Sequence, residues 1–210
     1  MKAIPEPNFP KDYRTARKAF IAACTQAQAD SIARVHPAAS GPKGNPLFLD
    51  SVALGPRDGR KALLLIAGSH GNDGLMGSAL LTGLLDSALR PPAGARLVMV
   101  HALNPFGMAR GSRENEAGID LDTSKAAQSW SFAMLRDIMT EDLAHVEKLR
   151  VLELGRSTTS RLEDRTGSVL AQALAAARPG ADIRVARLFL APDSALAQSR
   201  AVTARALAEL

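Results

Sequence analysis

The sequence predicts an α/β fold, a three-layer domain in which a mixed sheet with parallel central strands carries helices on both faces. Two observations predict it. Segments 61–68 and 95–103 are almost unbroken apolar runs, typical of strands buried on both faces. Segment 75–89 between them has the length and composition of a helix and is followed by Pro91 and Pro92. A strand, a helix and a strand of these lengths form a βαβ unit, whose strands pair in parallel through a right-handed crossover.

The elements before residue 61 are predicted as a helix and a hairpin. Apolar residues recur at helical spacing after Pro10, which predicts a first helix within residues 12–29. Segments 31–37 and 46–55 alternate or cluster apolar residues as strands do, and a turn-rich segment joins them. We expect this hairpin at an edge of the sheet.

The elements after residue 103 are predicted from a weaker pattern. The sequence favours a long polar loop at 104–125, one or two helices at 126–148, a short strand at 149–155, a helix at 160–178, a strand at 183–192 and a last helix at 194–210. No internal repeat or low-complexity linker interrupts these segments. Residues 1–210 are therefore predicted to form a single α/β domain.

Composition excludes several classes of protein. The 210 residues are 46% hydrophobic and 22% charged, enough for one sizeable core without disulfides. The single cysteine, Cys24, excludes a disulfide framework and a cysteine-rich metal site. The net charge of +5 is spread over the chain and aromatic residues are only 4%, so we expect no nucleic-acid partner. The apolar runs are too short for a bilayer and no secretory signal is visible, which predicts a cytoplasmic protein without a membrane partner.

Polar residues follow the two predicted central strands. Ligands of open parallel sheets gather at the carboxyl ends of strands, which draws attention to the turn 67–74 and to segment 101–122. His70 and Asp73 are three residues apart at a strand-to-helix turn, so both can reach one metal ion. The alternative is that Asp73 only stabilises the start of the helix. The turn lacks the endings of a phosphate-binding loop, and Ser69 does not lie in a Gly-x-Ser-x-Gly elbow.

Two long motifs carry a family resemblance. The segments LLLIAGSHGNDGLMGSALLTGLL and LVMVHALNPFGMARGSRENEAGIDL resemble the carboxypeptidase A-like zinc peptidase superfamily, and most closely a bacterial branch known as a domain of unknown function. The resemblance covers about residues 10–122. It implies that His70 and Asp73 bind zinc, with Asp73 in place of a glutamate, and that Arg113 is the catalytic arginine that stabilises the oxyanion. It places Asn104, Asn115 and Glu116 in the substrate-binding region.

The sequence also departs from this family. Asp122 and Thr123 stand where the family has an Asn-Arg pair whose arginine holds the carboxylate of the substrate. No counterpart of the third zinc ligand or of the catalytic glutamate is apparent, and residues 123–210 show no resemblance. His101 is a candidate substitute ligand. Glu153 is either a general base at a strand end or an ordinary residue of an edge strand, whereas His36 and His145 are expected at the surface.

Two functions remain open. The resemblance implies a zinc-dependent hydrolase of carboxypeptidase type, shortened, that acts on a small peptide or amide substrate. The alternative is a non-catalytic remnant, or a truncated or frameshifted homologue, that lacks a complete metal site and serves at most as a binding module. Catalytic zinc needs three protein ligands, and the sequence supplies two.

Overall fold

The structure, a computed structural model, describes residues 9–71, 73–87, 89–191 and 195–210. Residues 72, 88 and 192–194, which the predicted turn, helices and last strand include, lie outside the described residues. The strands in chain order are β1 (Ser31–Ser40), β2 (Pro46–Leu54), β3 (Lys61–Ala67), β4 (Ala95–His101), β5 (Lys148–Arg156), β6 (Arg161–Asp164) and β7 (Asp182–Leu190). They form one seven-stranded sheet in the order β1-β2-β4-β3-β5-β7-β6.

The centre of this sheet is parallel and its edges are antiparallel. Strands β4, β3, β5 and β7 run in parallel, with Leu63 opposite Leu97 and Leu65 opposite Leu152. β2 pairs antiparallel with β4 and carries β1 at one edge, and β6 pairs antiparallel with β7 at the other. The predicted mixed sheet with parallel central strands and an edge hairpin is therefore confirmed.

Helices cover both faces of the sheet. They are α1 (Tyr13–Gln26), α2 (Asp73–Asp86), α3 (Pro105–Arg110), a 3-10 turn (Ser124–Gln128), α4 (Trp130–Glu141), α5 (Val169–Ala177) and α6 (Ala195–Ala208). Leu63 and Leu65 of β3 pack in one core with residues of α1, α2 and α6, whereas Leu64 and Ile66 pack in a second core with α4 and α5. Successive side chains of a strand point to opposite faces, so the apolar run of β3 supplies both cores.

Two sequence-based expectations about these elements are wrong. Segment 160–178 is not one helix but β6 followed by α5, because Asp164 accepts hydrogen bonds from Thr166 in a tight turn and Ser168 caps the start of α5. The predicted loop 104–125 contains α3, which Asn104 caps by accepting the Gly107 N–H at 2.9 Å. Among the described residues, no helix combines the length and apolar character needed to span a membrane.

Candidate functional site

The polar site lies where β3, β5 and β7 end. Glu153 of β5 stands in register with Ile66 of β3 on one side and with Arg187 of β7 on the other. The chain leaves β3 at Gly68, whose φ of +78° favours glycine and whose absent Cβ would lie 2.7 Å from the Cα of Ala102. This close turn places the next residues, among them His70, beside the two neighbouring strand ends.

The loop between Ser112 and Thr123 closes over this edge of the sheet. Its backbone is tied to the β3 turn, since the Gly71 N–H donates to the Ser112 carbonyl at 3.0 Å. Within the loop, Asn115 accepts the N–H groups of Ala117 and Ile119, and Asp120 accepts the N–H of Asp122 at 2.9 Å. The loop therefore presents the side chains of Asp120 and Asp122 to the strand ends in a defined arrangement.

Three of these side chains form a candidate metal-binding triad. His70 Nε2 lies 3.2 Å from Asp120 Oδ1 and 3.5 Å from Asp122 Oδ2. One ligand atom from each residue lies within 4.8 Å of the other two. Imidazole nitrogen and carboxylate oxygen are ligand types that Zn²⁺ takes, and bonds of 2.0–2.1 Å would separate two tetrahedral ligands by roughly 3.3 Å. In donor type and spacing, the triad is suited to a metal ion.

The carboxylate of Asp122 accepts hydrogen bonds from the guanidinium groups of three arginines. Its Oδ1 accepts Nη2 of Arg187 at 2.7 Å and Nη2 of Arg165 at 2.9 Å. Its Oδ2 accepts Nη1 of Arg187 and Nη2 of Arg113, both at 2.9 Å. An ionised carboxylate offers about four lone-pair positions, so the four guanidinium bonds leave Asp122 none for a metal ion.

Arg187 also pairs with the carboxylate of Glu153. Its Nη2 and Nε donate to Glu153 Oε2 at 2.9 and 3.2 Å, and Ser69 Oγ donates to Glu153 Oε1 at 2.9 Å. Both partners are buried, with 7% of Arg187 and 4% of Glu153 exposed. A charge this deep is costly unless it is paired and hydrogen-bonded, and here each charge is satisfied by the other.

Protonation follows from these contacts. Burial alone raises the pKa of Asp122, but the hydrogen bonds and positive charge of Arg187, with further charges nearby, outweigh it and lower this pKa to about 2. Burial, together with the charges of Arg187 and Arg113, lowers the pKa of His70 against the opposing effect of Asp122. Near pH 7 His70 is therefore a neutral imidazole, and Asp122 is an ionised carboxylate.

These contacts decide whether zinc fits. The donor types fit, but Asp122 is saturated by three arginines, and the second triad carboxylate, Asp120, accepts Nε of Arg113 at 2.6 Å. Each carboxylate of the triad is therefore already paired with at least one guanidinium group, whose positive charge opposes that of a divalent ion. As arranged, the residues do not fit a resident zinc ion.

The sequence-predicted site residues are only partly brought together. His70 and Arg113 lie in the site, and the side chain of Arg113, at its rim, is 57% exposed. Asp73 is the first residue of α2 and does not belong to the triad. Its assignment as a ligand stays a prediction.

The three predicted substrate-binding residues bond elsewhere. Asn104 caps α3, Asn115 organises its own loop, and Glu116 lies 3.3 Å from the imidazole of His36 beside a separate groove of about 580 Å³ next to Trp130. Nothing in these contacts tests a role in binding substrate, so that role stays a prediction.

Two expectations about histidines are wrong, and a third holds. His101 is fully buried, stacks on Phe20 and contacts Ser78 Oγ at 2.9 Å and Asp50 at 3.6 Å, so it is not a substitute ligand of the triad. His36 is buried rather than at the surface, because its Nδ1 accepts backbone N–H groups and its ring packs on Trp130. His145 is exposed, as predicted.

Sequence reasoning missed two arginines of the site and misplaced its glutamate. Glu153 lies in a central strand, not an edge strand, and Arg187 and Arg165 were not identified. The available signal was a charged residue in the apolar second half of two strands, Glu153 in LRVLELG and Arg187 in IRVARLFL. A charged residue within a buried run needs a partner, and the neighbouring strand supplies it.

A family model matches the first part of the chain. The family model described as "Protein of unknown function (DUF2817)" matches residues 9–123. This stretch contains His70, Arg113, Asp120 and Asp122, whereas Glu153, Arg165 and Arg187 lie beyond it. None of the curated proteins matches the chain.

Solved structures share the fold. A metallo-carboxypeptidase from Burkholderia cenocepacia superposes with a TM-score of 0.64 at 15% identity, over 95% of this chain and 69% of that one. A proposed metallopeptidase from Shewanella denitrificans OS217 gives a TM-score of 0.64 at 13% identity, over 94% and 90% of the two chains. A proposed carboxypeptidase from Burkholderia mallei ATCC 23344 superposes with a TM-score of 0.61 at 14% identity. The match covers 90% of this chain but only 65% of the Burkholderia mallei chain. The predicted carboxypeptidase-like α/β fold is therefore confirmed.

Proposed function

The chain belongs to the DUF2817 family, and on that premise we propose that it is a non-hydrolytic member of the carboxypeptidase-like fold, in which an arginine takes the place of the metal ion. The observation that carries the proposal is the guanidinium of Arg187, which bonds both oxygens of Asp122 and one oxygen of Glu153. The chain then serves as a binding module rather than as an enzyme.

Electrostatics support this proposal. A divalent ion about 4 Å from a guanidinium is repelled by about 8 kcal/mol at an effective dielectric constant of 20. Each nearby carboxylate attracts the ion by a similar amount, so the guanidinium groups bonded to Asp120 and Asp122 offset the attraction of these two carboxylates. His70 is left as the one donor of the triad without a guanidinium partner, and catalytic zinc normally takes three protein ligands.

Glu153, the candidate general base, is also hydrogen-bonded within the protein. Glu153 is buried, and its two oxygens accept hydrogen bonds from Arg187 and Ser69. A general base must reach the proton of its water or substrate at hydrogen-bond distance. With both oxygens bonded to the protein, Glu153 is better suited to hold Arg187 than to accept a proton.

The ligand class follows from the exposed edge of the site. The hydrogen bonds of Arg113 use Nε and Nη2, so Nη1 points away from the carboxylates it pairs with. Nη1 can donate to a carbonyl oxygen, whereas a further carboxylate would be repelled by Asp120 and Asp122, which already share the charge of Arg113. We therefore propose a small peptide or amide as the ligand. The proposal includes a cytoplasmic location, in keeping with Cys24, which is a buried free thiol.

A second candidate is the zinc-dependent hydrolase that the resemblance implies. The spacing of His70, Asp120 and Asp122 favours it. It requires that the guanidinium of Arg187 leave Asp122. The experiment that separates the two candidates is the zinc content of the purified chain, with His70→Ala as the control.

We expect less than about 0.1 zinc per chain for both proteins after dialysis against a weak chelator, and no metal-dependent cleavage of a panel of acylated dipeptides. Stoichiometric zinc that is lost in His70→Ala would overturn the proposal and establish the second candidate.

A further inference from the structure

A second concave region, the α1 cleft, lies between the start of α1 and the turn that joins β1 to β2. Its volume is about 790 Å³, within the range of small-molecule sites. Asp50 of β2 is opposite His101, the last residue of β4, so residues 46–48 lie beyond the carboxyl end of that strand. The α1 cleft is therefore at the edge of the sheet where ligands of α/β folds gather. The polar site at the ends of β3, β5 and β7 contributes no residue to its lining.

The lining of the α1 cleft carries an excess of positive charge. Four of the described residues that line it are cationic: Arg14, Arg17, Lys18 and Lys43. Asp12 is the one carboxylate among the described lining residues, and it caps α1 by accepting the Thr15 N–H at 2.7 Å. Asp50 lies behind the lining and pairs with Arg17. Four cations against two carboxylates leave a net charge of +2, which attracts an anion.

Arg17 is the cation that the fold holds in a fixed position. Its Nε and Nη2 donate to the two oxygens of Asp50 at 2.7 and 2.8 Å, and its Cζ lies 3.8 Å from the centre of the Phe48 ring. The side chain is 26% exposed, and Nη1 makes no hydrogen bond to the described part of the chain. A guanidinium that is already held by a carboxylate and a ring loses little conformational freedom when it binds an anion.

The other residues of the lining are mostly apolar. Ile21, Leu47 and Phe48 contribute to it, together with Pro42 and Pro46. A bare inorganic anion would leave these side chains in contact with water, whereas a ligand with an apolar part would cover them. The α1 cleft thus combines an apolar wall with a cationic one.

We propose that the α1 cleft binds a small organic phosphate, whose head faces the cations and whose apolar part contacts Leu47 and Phe48. A phosphate monoester carries a charge of about −1.5 to −2 near neutral pH, which matches the excess charge of the lining better than a single carboxylate does. Guanidinium groups such as that of Arg17 are well suited to phosphate oxygens. This inference goes beyond the proposed function and does not depend on it, because the two sites share no residue.

The test is calorimetric titration of the full chain with phenyl phosphate at about pH 7.5, where the ester is dianionic. Inorganic phosphate and phenol, the two halves of this probe, are titrated separately. We expect phenyl phosphate to bind with a dissociation constant below about 1 mM and at least about tenfold more tightly than either half. Added NaCl should weaken the binding, because exposed charges are screened by salt.

Charge reversal locates the binding. Arg14→Glu with Lys43→Glu reverses two exposed charges of the α1 cleft, and we expect it to weaken phenyl phosphate at least about tenfold. A glutamate in the first turn of α1 is compatible with the helix. Arg57→Glu with Lys61→Glu is the matched control, since it makes the same change in net charge at exposed residues near the opposite edge of the sheet. It should bind like the wild type.

Single variants keep the test informative if a double variant does not fold. Lys43→Glu lies in the turn between β1 and β2, and Lys61→Glu is its control. Arg17 is left unchanged, because its loss would leave the fully buried carboxylate of Asp50 without its ion pair.

Four results would overturn the inference. Phenyl phosphate that binds no more tightly than phenol would mean that the cations do not recognise the head, and phenyl phosphate that binds no more tightly than inorganic phosphate would mean that the apolar wall takes no part. Equal weakening in the cleft variant and its control would indicate a general attraction to a basic chain. A dissociation constant above about 1 mM would mean that the α1 cleft is not a site for this class of ligand. None of these results bears on the zinc content of the chain.

Discussion

Arg187 donates two hydrogen bonds, at 2.7 and 2.9 Å, to the carboxylate of Asp122, which lies 65 residues earlier in the chain. Asp122 belongs to the stretch that matches the family model, and Arg187 lies in the part beyond it. The two parts are also joined in the sheet, where β5 pairs with β3 over residues 61–67. Residues beyond 123 thus complete both the sheet and the site.

The first prediction concerns the buried ion pair. Arg187→Met leaves Asp122 and Glu153 partly unpaired, and breaking a buried pair from one side costs about 3–5 kcal/mol. We expect a loss of this size in the free energy of unfolding in urea without added metal. Arg205→Ala is the control, because the ion pair of Arg205 with Glu209 is exposed and its loss should not measurably change stability. Equal losses in the two variants would contradict the account.

The second prediction concerns pH. The pKa of Asp122 is about 2 in the folded chain, below its ordinary value of 3.8. A depressed folded pKa contributes stability that is present above about pH 4 and is lost as the pH falls toward 2. Allowing for solvent screening, we expect this contribution to be about 1 kcal/mol. Asp122→Asn should remove that part of the acid dependence of unfolding. An unchanged slope between pH 4 and pH 2 would show that the ion pairs do not lower this pKa.

The third prediction concerns the buried histidine of β4. Ser78→Ala removes the hydroxyl that contacts His101 Nε2 at 2.9 Å, and a buried polar atom left without its partner costs about 1–3 kcal/mol. Unfolding in urea measures the loss. A loss well below about 1 kcal/mol would contradict the account, because it would mean that the hydroxyl of Ser78 does not satisfy the imidazole.

The fourth prediction concerns the turn that positions His70. Gly68→Ala forces an alanine to a φ of +78° and places its Cβ 2.7 Å from the Cα of Ala102. We expect a loss of at least about 2 kcal/mol in the free energy of unfolding. Gly180→Ala is the matched control, because Gly180 also has a positive φ, of +86°, but has nothing within 4 Å of a Cβ. Gly180→Ala should lower the free energy of unfolding only by the backbone strain of a positive φ, about 1 kcal/mol. Equal losses in the two variants would mean that the close approach of Gly68 to Ala102 costs nothing.

Much of the fold could be predicted from local pattern. The runs 61–68 and 95–103 are apolar throughout because β3 and β4 are buried on both faces. Segment 160–178 was misread because four residues of β6 are too few to show a period, and its turn depends on side-chain bonds of Asp164 and Ser168. Tertiary pairing with β7, rather than local preference, makes residues 161–164 a strand.

Sequence could predict only those site residues that lie within a recognisable local motif. His70 and Arg113 lie in the two motifs, so their positions could be read from sequence. The pairing of Glu153 with Arg187 depends on the register of β5 against β7, 34 residues apart, which no local pattern specifies. The position of Arg187 between two carboxylates therefore becomes visible only in the folded chain.

Anomalous X-ray scattering at the zinc edge, from crystals of the wild-type chain grown with excess zinc, tests the central claim most directly. The account predicts no anomalous peak within bonding distance of His70 Nε2, and a guanidinium of Arg187 that bridges Asp122 and Glu153. A strong peak coordinated by His70 and Asp122, with Arg187 turned away, would contradict it.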